Sequence, residues 1–551
     1  MTGSCNIAEA LVRCAAQSPD RIAMRCPGTR GRDGMARYPV ALSYGELDRR
    51  SDALAAGLAS LGIVRSWRVV VMVRPSPELF VLMFALFKLG AVPVLVDPGI
   101  DRRALKQCLD EAQPHAFIGI ALAQAARRVL RWARSARILV TVGRRWFGAG
   151  PTLAQVEARG AGAGPQLAAT AADEVAAIVF TSGSTGVPKG VVYRHRHFAA
   201  QVELLRTAFA IEPGGVDMPT FPPFALFDPA LGLTSVIPDM DPTRPARADP
   251  RRLHAAIARF GVTQLFGSPA LVGVLARHGR PLPGVRKLIS AGAPVPPDTV
   301  ARMQALLDPQ AQLWTPYGAT ECLPVAVIEG RELEATRAAT EAGAGTCVGR
   351  PVPPNQVRLI GIDDGPIAQW SDALQVPAGT VGEITVAGPS ATDSYFNRPQ
   401  ATALAKIREH TGAGERIVHR MGDLGWLDRD GRLWFCGRMS QRVQCVDGVL
   451  CTEQVEPVFN VHPEVHRTAL VGVGRPGAQI PVLCVELHRG ADADRHERIE
   501  AELLDIGQRH AHSARVQQLL FHPRFPVDIR HNAKIGRERL AAWAAQRLRR
   551  A

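Results

Sequence analysis

An α/β fold of at least two domains is predicted by three observations. The chain has 551 residues, beyond the roughly 250–300 at which one hydrophobic core stops growing. Short apolar, β-branched runs alternate with helix-period segments through its first 292 residues. That alternation is the sequence form of βαβ units and of a helix-covered, mainly parallel sheet. The texture then changes, first to short strand-like pieces joined by turns and then to a mixed segment of its own. We therefore read residues 1–436 as a large N-terminal domain carrying a small β subdomain at about 371–436. Residues 437–551 form a smaller α+β domain of ordinary domain size.

The elements follow in order. Ser43 to Leu61 is an amphipathic helix with Ser43 as N-cap and Glu46 as its capping-box partner. VVVMV at 69–73 is a buried strand, PSPELFVLMFALFKLG a helix closed by Gly90, and AVPVLVD at 91–97 the next strand. Further strands are expected at 138–142, 176–180, 263–268 and 287–292. GEITVAG and LGWLDRDGRLWFCG supply the β subdomain, with Asp430-Gly431 as a hairpin signal. After Gly437 come a helix at 453–460, strands at 469–474 and 481–488, and a helix near 492–509.

Composition narrows the function classes. Apolar residues make up 46% and charged residues 21%, as in globular proteins and unlike disordered or fibrous chains. The apolar run ending at Phe87 is broken by Lys88 and Gly90, far short of the roughly 20 residues of a membrane span. Glu9 falls inside the stretch where a signal peptide needs unbroken apolar residues. No transmembrane segment and no leader are expected. The net charge of +14 comes with 59 arginines against six lysines, and the arginines are spread along the chain, which is the pattern of a solvated surface rather than of a nucleic-acid binder. Ten cysteines without metal-site spacing fit reduced thiols and a cytoplasmic protein.

The most informative stretch is FTSGSTGVPKG, Phe180 to Gly190, directly after an apolar strand. Glycines let the backbone approach phosphates, hydroxyls and amides donate to their oxygens, and the ammonium of Lys189 supplies charge. The spacing of Lys189 is not that of a Walker A loop. Two histidines nearby, His195 and His197, are expected to be capping or surface residues, and Cys322 a small core residue.

FTSGSTGVPKG resembles the phosphate loop of the acyl-adenylate-forming (AMP-binding) superfamily, and the other motifs of that family follow in order. SAGAPV (Ser290 to Val295) resembles the segment lining the adenine site, and YGATE (Tyr317 to Glu321) the motif that stacks adenine and binds Mg²⁺. GEI with its following GP (Gly382 to Pro389) and RMGDLG (Arg420 to Gly425) resemble the next two. Gly437-Arg438 resembles the interdomain hinge, here near 438–440, ahead of a mobile C-terminal domain. NAKIGR (Asn532 to Arg537) resembles the C-terminal lysine motif.

The resemblance implies ATP and Mg²⁺, and a reaction in which a carboxylate oxygen attacks the α-phosphorus with pyrophosphate leaving. It assigns Thr181, Ser182, Gly183, Ser184, Thr185, Gly186 and Lys189 to the phosphates, and Gly292, Ala293, Pro294, Tyr317 and Gly318 to adenine. Asp423 and Arg438 fall to the ribose and its phosphate end. Thr320 would meet the α-phosphate, Glu321 would bind the metal, and Lys534 would bridge the substrate carboxylate and the α-phosphate.

Within the superfamily, FPPFALFDPALGL (Phe221 to Leu233) and IPDMDPTRPA (Ile237 to Ala246) are most similar to the β-lactone-forming branch of bacterial long-chain olefin biosynthesis. The implied substrate is a long-chain 2-alkyl-3-hydroxyalkanoic acid, whose own hydroxyl ends the reaction, and the implied setting allows assembly with other enzymes of that pathway. Phe224, Ala225 and Asp228 are the pocket candidates, with Asp228 one candidate base for the hydroxyl and the leaving phosphate another. Ala225 stands where thioester-forming relatives often carry His, Ser440 where their hinge is usually charged, and VDGVL replaces a Gly-centred loop. Two alternatives stay open: a long-chain fatty acyl-CoA synthetase, separable by CoA consumption, and a non-catalytic acyl- or nucleotide-binding scaffold, separable by pyrophosphate release.

Overall fold

The computed structural model describes residues 4–96, 100–146, 150–181, 188–412, 414–488, 495–527 and 535–549. Its first layer is a six-stranded sheet in the order Ile138–Val142, Ala116–Ile120, Arg68–Met72, Val92–Val96, Val175–Thr181 and Lys189–Arg194. Every neighbouring pair is parallel except the last. The parallel strands follow from the βαβ alternation: each apolar run is too short for a helix, and the chain must cross over before it pairs again.

Two helices show how the sequence sets the packing. Tyr44–Ser60 begins with the capping box, Ser43 accepting from Glu46 N and Glu46 accepting from Ser43 N. Pro77–Leu89 is buried from Phe80 through Lys88, as an all-apolar helix must be. It stops at Gly90, whose φ of +68 is the left-handed cap that glycine adopts without strain. The buried ammonium of Lys88 at its last turn sits 2.7 Å from Asp48 and 2.6 Å from Asp52.

The second layer is a 14-stranded sheet that changes character midway. From Ile22–Cys26 through Thr234–Val236, Val216–Pro219, Gln264–Gly267, Lys287–Ser290 and Gln312–Ala319, neighbours run parallel. At the hairpin between Gln312–Ala319 and Cys322–Glu329 the sheet turns antiparallel and stays so through Thr346–Pro351, Leu433–Arg438, Gly414–Leu427, Gly382–Ala387 and Gln356–Ile360. Antiparallel pairing in this half therefore includes three strands before residue 371, where the sequence texture changes. The last two are short and flank the proline-rich turn Pro351–Pro354, so they carry little alternation of their own. The hairpin at Asp430-Gly431 is present, with Asp428 Oδ1 accepting from Asp430 N and Arg432 N.

The last segment has a three-stranded sheet of Val465–Val473, Ile480–Leu487 and Gln518–Phe521. It is packed around its own apolar cluster, which includes Val455, Phe459, Leu470, Leu483 and Leu503. All ten cysteines are free thiols, seven of them buried. Among the described residues no helix is long and apolar enough to cross a membrane.

Candidate active site

The family-like motifs converge where the large sheet switches from parallel to antiparallel, the place at which strand ends splay and leave room for a ligand. Lys287–Ser290 and Gln312–Ala319 pair in parallel with Ile289 opposite Trp314, so Gly292, Ala293 and Pro294 leave the sheet at the same edge as Tyr317. The chain then reverses at once. Gly318 is required there, because a Cβ would lie 2.8 Å from the Cys322 carbonyl.

Tyr317 reaches across to the antiparallel half. Its hydroxyl donates to Asp423 Oδ2 at 2.6 Å, a contact between residues 106 apart in sequence. Asp423 is directly opposite Arg438 in the Gly414–Leu427 and Leu433–Arg438 ladder, and Arg438 Nη1 lies 2.9 Å from Asp423 Oδ1. Asp423 is 2% exposed. Burial pushes its carboxyl up, and the Arg438 charge and Tyr317 hydroxyl pull it back. Burial and the Asp423 charge together raise the Tyr317 phenol. Despite the ion pair, Oδ1 accepts no aligned hydrogen bond among the described residues, so one acceptor of a buried carboxylate is open to a ligand hydroxyl.

Thr320 and Glu321 form the turn of the hairpin and are gripped from two sides. Tyr193, on the strand Lys189–Arg194, donates to the Thr320 carbonyl. From the other side, Thr392 N and Oγ1 donate to the Glu321 carbonyl at 2.8 and 3.1 Å, and Tyr395 donates to Glu321 Oε1 at 2.6 Å. Tyr395 is placed by main-chain pairing: Phe396 N donates to the Gly190 carbonyl and Val192 N to the Ser394 carbonyl. Lys189 opens that strand opposite Thr181, and its Nζ lies 5.1 Å from the Tyr395 ring. Gly190 keeps the strand close to its neighbour, since a Cβ would meet the Phe180 ring at 2.9 Å.

The structure thus brings Thr181, Lys189, Thr320 and Glu321 around Tyr395, and Tyr317, Asp423 and Arg438 beside them. Ser182, Gly183, Ser184, Thr185, Gly186 and Lys534 lie outside the described residues. In the pocket segment, Phe224 packs 4.3 Å from Phe266 and 5.5 Å from Phe221, ring centre to ring centre, and Ala225 is buried. Asp228 is buried too. Ser235 donates to its Oδ2, and burial pushes its carboxyl up to about 7 against the pull of the Ser235 and Asp217 hydrogen bonds.

The two histidines are not surface residues. His197 caps the helix His195–Ala208 by accepting from Arg194 N at 3.0 Å, while His195 accepts from Ile7 N at 3.2 Å. The N-terminal segment covers His195, Asp393 and the Tyr193 ring lie against His197, and burial holds both below the usual imidazole range. Cys322 is a buried core thiol pushed up to about 11.

Sequence reasoning missed Tyr193, Thr392, Tyr395 and Lys406, and also the buried pair of Arg420 and Glu383 at 2.6 Å, 2% and 1% exposed. A signal existed for the tyrosines: the chain has only five, and Tyr193, Tyr317 and Tyr395 all meet here.

The AMP-binding enzyme family model matches residues 11–396. An olefin beta-lactone synthetase of Xanthomonas campestris pv. campestris is 70% identical over 547 residues, covering 99% of this chain and 98% of that one. A second olefin beta-lactone synthetase, from Stenotrophomonas maltophilia, is 69% identical, covering 100% and 99%. Among solved structures, the amide bond synthetase McbA of Marinactinospora thermotolerans superimposes with a TM-score of 0.76 at 22% identity, over 98% of this chain and 99% of that one. O-succinylbenzoate coenzyme A synthetase of Bacillus subtilis, in complex with AMP, gives 0.73 at 19%, over 96% and 97%. These two share the fold, and the family match and full-length identities carry the further step: this chain belongs to the AMP-binding enzymes.

Proposed function

We propose that the chain adenylates a long-chain 2-alkyl-3-hydroxyalkanoic acid with ATP and closes the product to a β-lactone. The observation that carries this reading is the identity of about 70% along the whole chain to two olefin beta-lactone synthetases. In the first step a carboxylate oxygen attacks the α-phosphorus and pyrophosphate leaves. In the second, the 3-hydroxyl oxygen attacks the activated carbonyl, its proton is lost, and AMP departs with the bonding electrons. An attacking oxygen already on the substrate needs no thiol, because it is held at high effective concentration. Buried Ala225, Ser440 and the VDGVL loop are in keeping with this.

The roles of individual residues belong to the same proposal. Asp423, with its open acceptor, takes a ribose hydroxyl while Tyr317 and Gly318 face adenine beside Gly292, Ala293 and Pro294. Arg438 serves the sugar-phosphate end. Thr181, Lys189 and the loop Ser182 to Gly186 hold the β- and γ-phosphates, Thr320 the α-phosphate, and Lys534 bridges the carboxylate and the α-phosphate. Glu321 fits a hard divalent cation: one oxygen is fixed by Tyr395, while Oε2 has no hydrogen-bond partner among the described residues, and carboxylate oxygen suits Mg²⁺. When bound there, Mg²⁺ supplies charge neutralisation for the leaving pyrophosphate. Phe224 lies in the acyl pocket. Asp228, already engaged by Ser235, and the leaving phosphate are the two candidates to take the proton of the 3-hydroxyl. A cytoplasmic location, and assembly with other enzymes of the same pathway, complete the reading.

The test is mass analysis of products from a synthetic 2-alkyl-3-hydroxy acid, ATP and Mg²⁺, with and without CoA. A lactone with equal yield in both is expected. A CoA-dependent thioester without lactone moves the assignment to an acyl-CoA synthetase, and absence of pyrophosphate release moves it to a non-catalytic scaffold.

A further inference from the structure

Among the six lysines of this arginine-rich chain, Lys406 occupies an unusual position. It opens the strand Lys406–Thr411 opposite His419 and is 6% exposed. Lys88, the other deeply buried lysine among the described residues, sits between two aspartates. Lys406 has no ion pair among the described residues. Its ammonium donates to the carbonyl and, at 3.2 Å, to the Oγ1 of Thr392, and lies 5.8 Å from the Tyr395 ring. A buried ammonium without a paired carboxylate is expensive, whereas an apolar side chain would fill the space without that cost.

What the ammonium grips explains its presence. Thr392 Oγ1 accepts from Lys406 and passes its own proton toward the Glu321 carbonyl. Tyr395, whose ring centre lies 5.8 Å from the Lys406 ammonium and 5.1 Å from that of Lys189, donates to the Glu321 carboxylate. Both hydrogen bonds that fix the Glu321 main chain, and the one that fixes its side chain, therefore come from residues that Lys406 touches.

We propose that Lys406 is a positioning residue for adenylation: through Thr392 and Tyr395 it sets the place of the Glu321 carboxylate, and so sets the affinity for the divalent cation that accompanies the nucleotide. The inference rests on reading Glu321 as the cation ligand. Residues that orient a metal-binding carboxylate typically matter by 10–100-fold in affinity.

Lys406→Met, Thr392→Val and Glu321→Gln are compared by thermal melting, by Mg²⁺ titration of pyrophosphate release, and by calorimetric ATP affinity with and without Mg²⁺. Lys406→Met and Thr392→Val are expected to raise the Mg²⁺ half-saturation roughly tenfold or more, with ATP affinity in the absence of Mg²⁺ unchanged. Combining Lys406→Met with Glu321→Gln should add no further shift, because both act on one carboxylate. If Glu321→Gln shifts the Mg²⁺ response and folded Lys406→Met does not, the role of Lys406 is overturned while that of Glu321 stands. If Glu321→Gln shifts nothing, the ligand assignment falls and this inference with it. Should Lys406→Met fail to fold, Thr392→Val decides: an unchanged Mg²⁺ response overturns the proposal.

Discussion

Replacing Asp423 by Asn keeps the side chain's shape and removes the charge that pairs with Arg438. The carboxylate is buried, holds the Tyr317 hydroxyl at 2.6 Å and leaves Oδ1 without an aligned donor. A ribose hydroxyl bound there would donate to an ionised acceptor, an interaction of about 1.5–3 kcal/mol. Its loss corresponds to roughly a 10- to 150-fold rise in the ATP KM. Turnover at saturating ATP should fall less, since the ribose lies away from the reacting phosphorus. The fold should tolerate the change: Arg438 is 37% exposed and can turn to water, and Asn spares the burial that already pushes the Asp423 carboxyl up. The assay is pyrophosphate release across an ATP titration, with a thermal melt as the control. An ATP KM equal to wild type in a folded Asp423→Asn enzyme would refute the ribose role.

Other outcomes are expected on the same grounds. Lys534→Ala should cost about 2.7–4 kcal/mol of transition-state stabilisation, nearly abolishing pyrophosphate release while calorimetry still detects ATP binding; unchanged release removes the role. Glu383→Ala strands the Arg420 guanidinium in the interior, where breaking a buried pair costs about 3–5 kcal/mol; its melting midpoint should fall further than that of a variant with both residues made apolar. Arg358, then Arg416, pull the Glu409 carboxyl down from 4.5 to about 2. This depressed value gives stability that is complete above about pH 4.5 and lost as pH falls toward 2. The melting difference between wild type and Glu409→Gln should therefore close over that interval, and a difference that persists at pH 2 contradicts the ion-pair account.

What could be read from the chain follows the range of the forces involved. The capping box at Ser43 and Glu46, the stop at Gly90 and the turn at Asp430-Gly431 are set by residues a few positions apart, so they were legible and the structure has them. Tyr317 and Asp423 were named by motif, but nothing local said that one would donate to the other across the sheet. Tyr395 and Lys406 escaped notice because their meaning lies in pairing with a distant strand: out of context, SYFNRP is a turn and Lys406 a surface charge. The same holds for Glu383 and Arg420, which read as ordinary polar residues of two strands until the fold buries them together. His195 shows the opposite error, a polar residue whose covering segment comes from the far N-terminus.

The free thiols have a practical use. Seven are sequestered, and burial pushes Cys26, Cys108, Cys451 and Cys484 up to about 12, so the reactive thiolate is scarce at neutral pH. Cys5, Cys14 and Cys445 are half-exposed. The first two sit near the N-terminus, and the third lies past Arg438 on the strand Val443–Cys445. Maleimide dyes should accordingly find these three sulfurs first, and removing either Cys5 or Cys14 leaves a native donor and acceptor pair that straddles the 438–440 segment. Fluorescence transfer between dyes on that pair would give a ruler for following that segment through turnover without introducing a new cysteine.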